Sequence, residues 1–304
     1  MKMERVALLG AGAIGAYIVW GMAEALGERF CVVARGERKA RLEQQGLIIN
    51  DEPHKFPVKT PEEARGADLL FVACKQDKLA EALEDIRAVT DENTTVISLL
   101  NGITSEEIIG GAIGMEHVLP GFIRLSSCKQ GNRVTFSPEL AVGVCVGERD
   151  GQTSPRMLAV KELMDGTGAL CNLSSDITLD MWMKYAGNVA NNLPQAMLAV
   201  GGKAFADSTH LQRLAELLWK EVYSVARGMG VPLREKVVIF RDTAPRARYS
   251  TLQDLDAKRP TEIESLAGDL IRMAAQLGLA VPCIEFTYHM IKALEEKNRG
   301  MFDY

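Results

Sequence analysis

The stretch that decides the fold is RVALLGAGAIG, residues 5–15 of the 304-residue chain. An apolar run, 5–9, predicts a short buried strand, and residues 13–26 predict a helix. Between them the glycines have the spacing G-x-G-x-x-G, in the strand–turn–helix context of a dinucleotide-binding fingerprint. We expect the turn to hold a pyrophosphate at the positive end of the helix through Gly10, Ala11, Gly12, Ala13, Ile14 and Gly15. A glycine-rich turn without a ligand is the alternative.

Working outward from this turn, strand and helix patterns alternate along the first half of the chain. Further strands are predicted at 29–34, 67–74, 94–100 and within 118–146, and helices at 77–89 and 154–165. This rhythm is typical of a parallel sheet with helices on both faces. After about residue 175 the pattern is helical, at 176–200, 209–229, 233–243, 261–277 and 282–298. We therefore predict a Rossmann-like α/β domain at 1–170 and an all-α domain at 171–304.

Composition excludes several classes of protein. The 35 basic and 40 acidic side chains give a net charge of −5 with no basic stripe, which argues against a nucleic-acid partner. Six scattered cysteines without a C-x-x-C pair indicate reduced thiols and a cytoplasmic location. Four distant histidines predict no metal site. The apolar run 6–23 has the length of a membrane segment, but its glycines favour the soluble turn and helix, so we expect no membrane partner.

The residue about 20 positions after the last glycine indicates which nicotinamide cofactor binds. Here that residue is Arg35, at the end of the second predicted strand. An arginine cannot accept a hydrogen bond from the ribose 2′-hydroxyl, but it can pair with a 2′-phosphate. Arg38 and Lys39 add positive charge nearby. The pattern favours NADP(H) over NAD(H), and a solvated surface arginine is the alternative.

Two more polar residues follow predicted strands. Lys75 ends the strand at 67–74, and Asn101 follows the strand at 94–100, just before Gly102. Ligands of open parallel sheets bind beyond the carboxyl ends of the strands, so both residues are placed to line a cofactor cleft. For Asn101, a plain Asn-Gly turn explains the pattern equally well.

The most informative stretch is MWMKYAGNVANNLP, residues 181–194. Lys184, Asn188 and Asn192 are spaced i, i+4, i+8, which puts an amine and two amides on one helix face. The surrounding side chains are apolar, and a buried lysine has a lowered pKa and can donate a proton near neutral pH. The face is either an active-site face or a solvent-facing polar stripe.

Residues 261–264 carry the spacing of a capping box, Thr261-x-x-Glu264, and predict a helix start. Glu262 then lies in the first helical turn, where a carboxylate commonly serves only the helix dipole. Ser250 has no distinguishing local chemistry. Neither residue indicates a function by itself.

Taken together, these motifs resemble the ketopantoate reductase (2-dehydropantoate 2-reductase) family over nearly the whole chain. The resemblance is carried by GAGAIG at 10–15, Arg35 in VVAR, Lys75 in VACK, Asn101 in LLNG, W-x-K-x-x-x-N-x-x-x-N at 182–192, STLQD at 250–254, TEIE at 261–264 and GLAVP at 278–282. It implies a Rossmann domain followed by a helical domain like that of 6-phosphogluconate dehydrogenase.

The resemblance also implies an activity: NADPH delivers hydride to the ketone of ketopantoate, giving pantoate for pantothenate and coenzyme A synthesis. Lys184 would be the general acid and Glu262 would bind the substrate hydroxyl. Asn188, Asn192 and Ser250 would orient the substrate. Asn101 and Lys75 would lie beside the nicotinamide. The sequence does not fix the oligomeric state and is compatible with a homodimer.

Three departures from the family pattern put the substrate in question. Ala247 replaces an asparagine that family members often carry, Ala267-Gly268 replaces a common Asn-Gly, and segment 121–132 is unusual, with Arg124 and Lys129 expected near the cleft. The alternatives to a ketopantoate reductase are a related reductase of another small 2-oxo acid and an NADP(H)-binding redox sensor without turnover.

Overall fold

The computed structural model describes residues 2–240 and 245–304 of the chain. Contacts divide it into two units, one made of residues 1–100 and 104–177 and the other of residues 101–103 and 178–304. The first unit holds every strand of the described residues and five helices; the second is helical. This arrangement confirms the predicted fold class, an α/β Rossmann-like part followed by an all-α part.

The first unit contains twelve strands and helices α1–α5. The strands are β1 Val6–Leu9, β2 Phe30–Val33, β3 Leu47–Ile49, β4 Glu52–His54, β5 Val58–Lys59, β6 Leu69–Val72, β7 Thr95–Ser98, β8 Gly121–Arg124, β9 Ser127–Gln130, β10 Arg133–Phe136, β11 Gly143–Val146 and β12 Cys171–Leu173. The helices are α1 Gly15–Leu26, α2 Gly36–Gln45, α3 Leu79–Val89, α4 Ser105–Ile113 and α5 Pro155–Asp165.

The main sheet has five parallel strands in the order β5-β2-β1-β6-β7. Strands β1, β2, β6 and β7 are buried along their whole length, and the first three are continuously apolar, as expected of strands that are covered on both faces. The strand order reverses between β1 and β6. In doubly wound sheets ligands bind beyond the carboxyl ends of the strands at such a reversal.

Two smaller sheets complete the first unit. One has the order β4-β3-β10-β9 and the other the order β12-β11-β8. Because β12 pairs with β11, residues 171–177 group with the first unit. The division along the chain thus falls after Ile177, whereas the sequence analysis put it after Leu170.

The second unit contains six α-helices among its described residues. They are α6 Ile177–Leu198 (its first residue still in the first unit), α7 Ala204–Asp207, α8 Thr209–Gly228, α9 Ser250–Asp256, α10 Asp269–Gln276 and α11 Pro282–Asn298. A short π-helix, Glu264–Gly268, precedes α10. The hydrophobic core of the second unit is built on fully buried side chains of α6 and α8, among them Val189, Leu193 and Trp219.

One local prediction in this unit was wrong, and another is confirmed only in part. Residues 233–240 are not helical, and the rest of the predicted helix 233–243 lies outside the described residues. The capping box at Thr261 forms only in part: the Thr261 hydroxyl accepts from the Ile263 amide over 3.3 Å, but the Thr261 amide donates to Glu295 of α11, at 2.7 Å, and not to Glu264. In both places hydrogen bonds from distant helices replace the local pattern. No helix within residues 2–240 and 245–304 is long and apolar enough to cross a membrane.

Candidate active site

The glycine-rich turn follows β1 and leads directly into α1. Gly10 has φ +106°, and a Cβ there would lie 2.5 Å from the carbonyl carbon of Ala73, just after β6. A Cβ on Gly15 would lie 2.0 Å from the carbonyl oxygen of Gly10. Both glycines are therefore required by the protein's own packing. Gly10 is needed for its backbone conformation and for the close approach of Ala73, and Gly15 is needed for the contact between α1 and the turn.

Gly12 differs from the other two glycines of the motif. Its φ is not positive, and the single neighbour of a Cβ there would be the Ala73 carbonyl oxygen, at 3.9 Å. The fold by itself does not need glycine at this position. A phosphate approaching the start of α1 would need it, because a side chain would occupy the space in front of the turn. The turn therefore fits a dinucleotide pyrophosphate. No side chain caps the amino end of α1.

Lys129 on β9 lies against the same turn. Its Nζ donates to the carbonyl oxygen of Ala11, over 3.3 Å. The sequence predicts Lys129 near the cleft, and within the first unit the structure brings its ammonium group to the glycine-rich turn. A cation at this position is suited to an anionic ligand of the turn.

The two cationic residues predicted to bind cofactor lie at the carboxyl ends of their strands, but with different surroundings. Arg35, after β2, pairs with Glu62 and Asp85, and 48% of its side chain is exposed. Lys75, after β6, is exposed. Burial raises the pKa of the neighbouring Cys74 thiol to about 11, so this thiol stays neutral.

In the second unit a lysine, an amide and a carboxylate form one hydrogen-bonded group. Lys184 on α6 donates from Nζ to Asn101 Oδ1, over 3.0 Å. Asn101 in turn donates from Nδ2 to Glu262 Oε2, over 2.8 Å. Asn101 is thus more than part of an Asn-Gly turn, because its amide links the two residues that the family resemblance implies as general acid and as ligand of the substrate hydroxyl.

Two contacts fix the backbone around Glu262. Glu295 of α11 holds the preceding residue, Thr261, and the Ser265 hydroxyl donates to the Glu262 carbonyl oxygen over 3.0 Å. Ser265 belongs to the π-helix, a local structure that frequently occurs at functional sites. Glu295 was not anticipated, since it lies 34 residues from Thr261 in the chain.

The remaining predicted substrate residues lie further along α6. Asn192 is 5% exposed and donates to the Ser250 hydroxyl over 3.4 Å, while Asn188, one turn earlier, is half-buried. At 1.5 Å per residue, Lys184 and Asn192 are separated by about 12 Å along the helix. The structure thus gathers the predicted residues of this unit into two groups, Lys184–Asn101–Glu262 and Asn192–Ser250, with Asn188 between them on α6.

Two buried amides that sequence reasoning missed hold the segment before Ser250. Asn191 accepts from the Phe240 amide and donates to the Val238 carbonyl, both at 2.8 Å. Gln195, one turn later, accepts from the Tyr249 amide at 2.7 Å and donates to the Ala247 carbonyl at 3.0 Å. Each side-chain amide thus accepts one hydrogen bond from the backbone and donates one to it, as a neighbouring β-strand would. The sequence does carry a signal for these two residues, because both are amides, spaced i, i+4, in an otherwise apolar stretch.

Among the described residues, no group of three or more His, Cys, Asp or Glu side chains could hold a metal ion. The two hydrogen-bonded groups of the second unit offer an amine, a carboxylate, amides and a hydroxyl. Such a group can bind a small oxyacid and move one proton to or from it.

Comparisons with known proteins identify the family of the chain. The family model described as ketopantoate reductase PanE/ApbA matches residues 6–143, and the model of its C-terminal part matches residues 176–295. The uncharacterized oxidoreductase YkpB of Bacillus subtilis (strain 168) is 26% identical over 299 residues, covering 95% of this chain and 98% of that protein. A 2-dehydropantoate 2-reductase of Archaeoglobus fulgidus is 27% identical over 305 residues, with coverages of 97% and 99%.

Solved structures show the same fold. The ternary structure of D-mandelate dehydrogenase with NADH and anilino(oxo)acetate is similar with a TM-score of 0.85 at 22% identity, covering 97% of this chain and 99% of that one. At this identity the likeness concerns the fold alone. The two family models, however, together span most of the sequence, so the chain belongs to the ketopantoate reductase PanE/ApbA family of oxidoreductases.

Proposed function

We propose that this protein catalyses the NADPH-dependent reduction of 2-dehydropantoate to pantoate, in the cytoplasm, as a step of pantothenate and coenzyme A biosynthesis. The observation that carries the proposal is the amide of Asn101, which accepts from Lys184 and donates to Glu262. A purely structural ion pair would not need an amide between its partners. A binding site for a polar substrate does need separate donors and acceptors.

In this proposal the first unit binds the cofactor and the second unit holds the substrate. The reduced nicotinamide supplies the hydride that the ketone carbon accepts. Lys184 donates its Nζ proton to the carbonyl oxygen as that oxygen becomes an alkoxide, and its positive charge stabilises the developing negative charge. The product is a secondary alcohol, and Lys184 regains a proton from water.

The other polar side chains orient the substrate. Glu262 accepts a hydrogen bond from the substrate hydroxyl, while Asn188, Asn192 and Ser250 bind the remaining oxygens, with Ser250 nearest the carboxylate. Asn101 fixes the direction of the Lys184 ammonium group and, with Lys75, borders the nicotinamide. Correct orientation of the reacting groups is a large part of the rate enhancement in such reactions.

Support for the cofactor class comes from the glycine-rich turn. Gly12 is the motif glycine that the fold itself does not require, and Lys129 brings a positive charge to Ala11. The structurally similar D-mandelate dehydrogenase was solved with NADH, another nicotinamide dinucleotide. Arg38, in the first turn of α2 after β2, favours the phosphorylated form, NADPH.

A related reductase of another small 2-oxo acid is the second candidate. It is favoured by Ala247, because a methyl group stands where family members often have an amide, and the Ala247 backbone is held in place by Gln195. It is also favoured by Ala267, which is fully buried in the π-helix. Both changes remove polar groups that could contact a substrate.

The direct test is to measure oxidation of NADPH by the purified protein with ketopantoate and with a panel including 2-oxoisovalerate and an aromatic 2-oxo acid. Highest kcat/KM with ketopantoate supports the first candidate. Highest kcat/KM with another 2-oxo acid supports the second. Absence of turnover with every acid, while NADPH binds, would favour a cofactor-binding sensor and contradict both reductases.

A further inference from the structure

The Arg35 guanidinium is already paired with two carboxylates, which disfavours its binding an anion. Its Nε donates to Asp85 Oδ1 over 2.6 Å, and its Nη1 donates to Glu62 Oε2 over 3.1 Å, with a second contact between Nη2 and Glu62 Oε1. One guanidinium therefore faces two carboxylates, and the group carries a net negative charge. A phosphate dianion approaching Arg35 would be repelled by this group or would have to displace it.

The partners also show where Arg35 points. Glu62 follows β5, the outermost strand on that side of the main sheet, and Asp85 lies within α3. The bidentate contact with Glu62 has the geometry in which arginine binds carboxylates most strongly. Arg35 thus ties the segment after β5 to α3.

Arg38 has different surroundings. It lies in the first turn of α2, which begins at Gly36 immediately after β2. Across residues 2–240 and 245–304 no carboxylate is found within ion-pair distance of it. Its neighbour Lys39, by contrast, pairs with Glu43 on the same helix.

The positive charge of Arg38 lies at the carboxyl edge of the main sheet, just after β2. It opposes the burial that raises the pKa of Cys74, a residue that follows β6. In the sheet β1 lies between β2 and β6. Arg38 follows β2 and Cys74 follows β6, so the end of β1, where the glycine-rich turn begins, lies between the ends of their two strands.

We propose that Arg38, rather than Arg35, contacts the 2′-phosphate of NADPH and sets the cofactor preference of this chain. This inference rests on the proposed function, because it assumes that a nicotinamide dinucleotide binds the glycine-rich turn. It goes beyond that function by separating two arginines with different roles. Arg38 binds the 2′-phosphate, and Arg35 is a structural ion-pair partner of Glu62 and Asp85.

The experiment measures dissociation constants of NADPH and NADH by titration, for the wild type and for Arg38→Ala, Arg35→Ala and Arg41→Ala. Arg41 is the matched control, since it is an exposed arginine one turn further along α2. Loss of a charge-assisted hydrogen bond corresponds to roughly a tenfold to hundredfold weaker affinity. We expect Arg38→Ala to weaken NADPH binding by that factor and to leave NADH binding unchanged.

Arg35→Ala and Arg41→Ala should keep the wild-type ratio of the two constants, and Arg35→Ala should lower the thermal midpoint. Arg38→Lys should restore part of the preference, because it keeps the charge. The proposal is overturned if Arg35→Ala removes the preference, if Arg38→Ala weakens both cofactors equally, or if the wild type shows no preference. If the wild type binds neither cofactor, the proposed function itself fails, which is a distinguishable result.

Discussion

At the scale of single residues, Asn101 is the connecting member of the candidate site. It lies 83 residues from Lys184 and 161 from Glu262 along the chain, yet its amide bonds to both. Sequence reasoning could put Asn101 at the end of a strand, because strand ends can be recognised from local pattern. It could not derive these two partners from spacing, since they depend on how distant segments pack.

Replacing Lys184 by alanine tests the proposed proton donor. Without an acid at this position the alkoxide is left unprotonated and its charge uncompensated, so kcat should fall by roughly a hundredfold to ten-thousandfold. The dissociation constant of NADPH should be unchanged. The measurement is steady-state kinetics with the best 2-oxo acid, beside a cofactor titration. A variant that retains most of the wild-type kcat contradicts the assignment.

Glu106, which lies outside the Lys184–Asn101–Glu262 group, gives a test of how the stability of the fold depends on pH. The side chain is 2% exposed and bonds to the Ser105 hydroxyl, which lies 2.8 Å from the Ser98 hydroxyl. Burial raises the pKa of Glu106 from 4.5 to about 7, with a smaller effect of Glu107 in the same direction and of Arg149 in the opposite one. The folded state therefore binds the proton more tightly than the unfolded state does.

The stabilisation by neutral Glu106 is complete below pH 4.5 and is lost as the pH rises to about 7. Replacing Glu106 by glutamine removes this loss, so the variant should gain on the order of 3 kcal/mol over the wild type between these limits. Thermal midpoints measured across the range check this, with the exposed Glu84→Gln as control. Parallel pH profiles for the Glu106→Gln variant and the wild type would show that Glu106 does not titrate in this range.

At the scale of elements, the strand–turn–helix unit at the start of the chain was predictable because its signals are local. The apolar run, the glycine spacing and the following helix lie within a few turns of each other. Residues 233–240 were predicted wrongly for the opposite reason: Asn191 binds the backbone at Val238 and Phe240 and replaces helical hydrogen bonds. Strands of two or three residues, such as β5, are too short to give a pattern.

The glycine-rich turn can be tested by separating fold from ligand. Gly12→Ala should keep the wild-type thermal midpoint, since a Cβ there has space, but should weaken NADPH and NADH at least about tenfold by blocking the pyrophosphate. Gly10→Ala should instead lower the midpoint, because φ is +106° and Ala73 is too close. Unaltered binding of both cofactors by Gly12→Ala would mean that the turn does not hold the dinucleotide.

The segment before α9 can be tested through Gln195. Gln195→Ala removes two hydrogen bonds from a fully buried amide and should cost about 1–3 kcal/mol of unfolding free energy. Because Tyr249 immediately precedes Ser250, we also expect KM for the 2-oxo acid to rise more than kcat falls. Denaturant unfolding and steady-state kinetics measure both effects. The exposed Gln44→Ala is the control, and equal behaviour of the two variants would contradict a positioning role.

At the scale of the whole molecule, alternation of strands and helices followed by helices alone was enough to predict the fold class, which the structure and the family models confirm. Which residues belong to which of the two units was harder to predict from the sequence. Residues 101–103 belong with the helical unit although they follow β7 in sequence, and β12 extends the α/β unit to Ile177. Both features depend on long-range pairing that composition and periodicity do not contain.

The most direct test of the account is turnover of ketopantoate with NADPH by the wild type and by Lys184→Ala under identical conditions. The proposed function predicts conversion to pantoate by the wild type, with higher kcat/KM for ketopantoate than for other 2-oxo acids, and a kcat lower by roughly two to four orders of magnitude in the variant. Binding of NADPH without reduction of ketopantoate, or equal rates for wild type and variant, would contradict it.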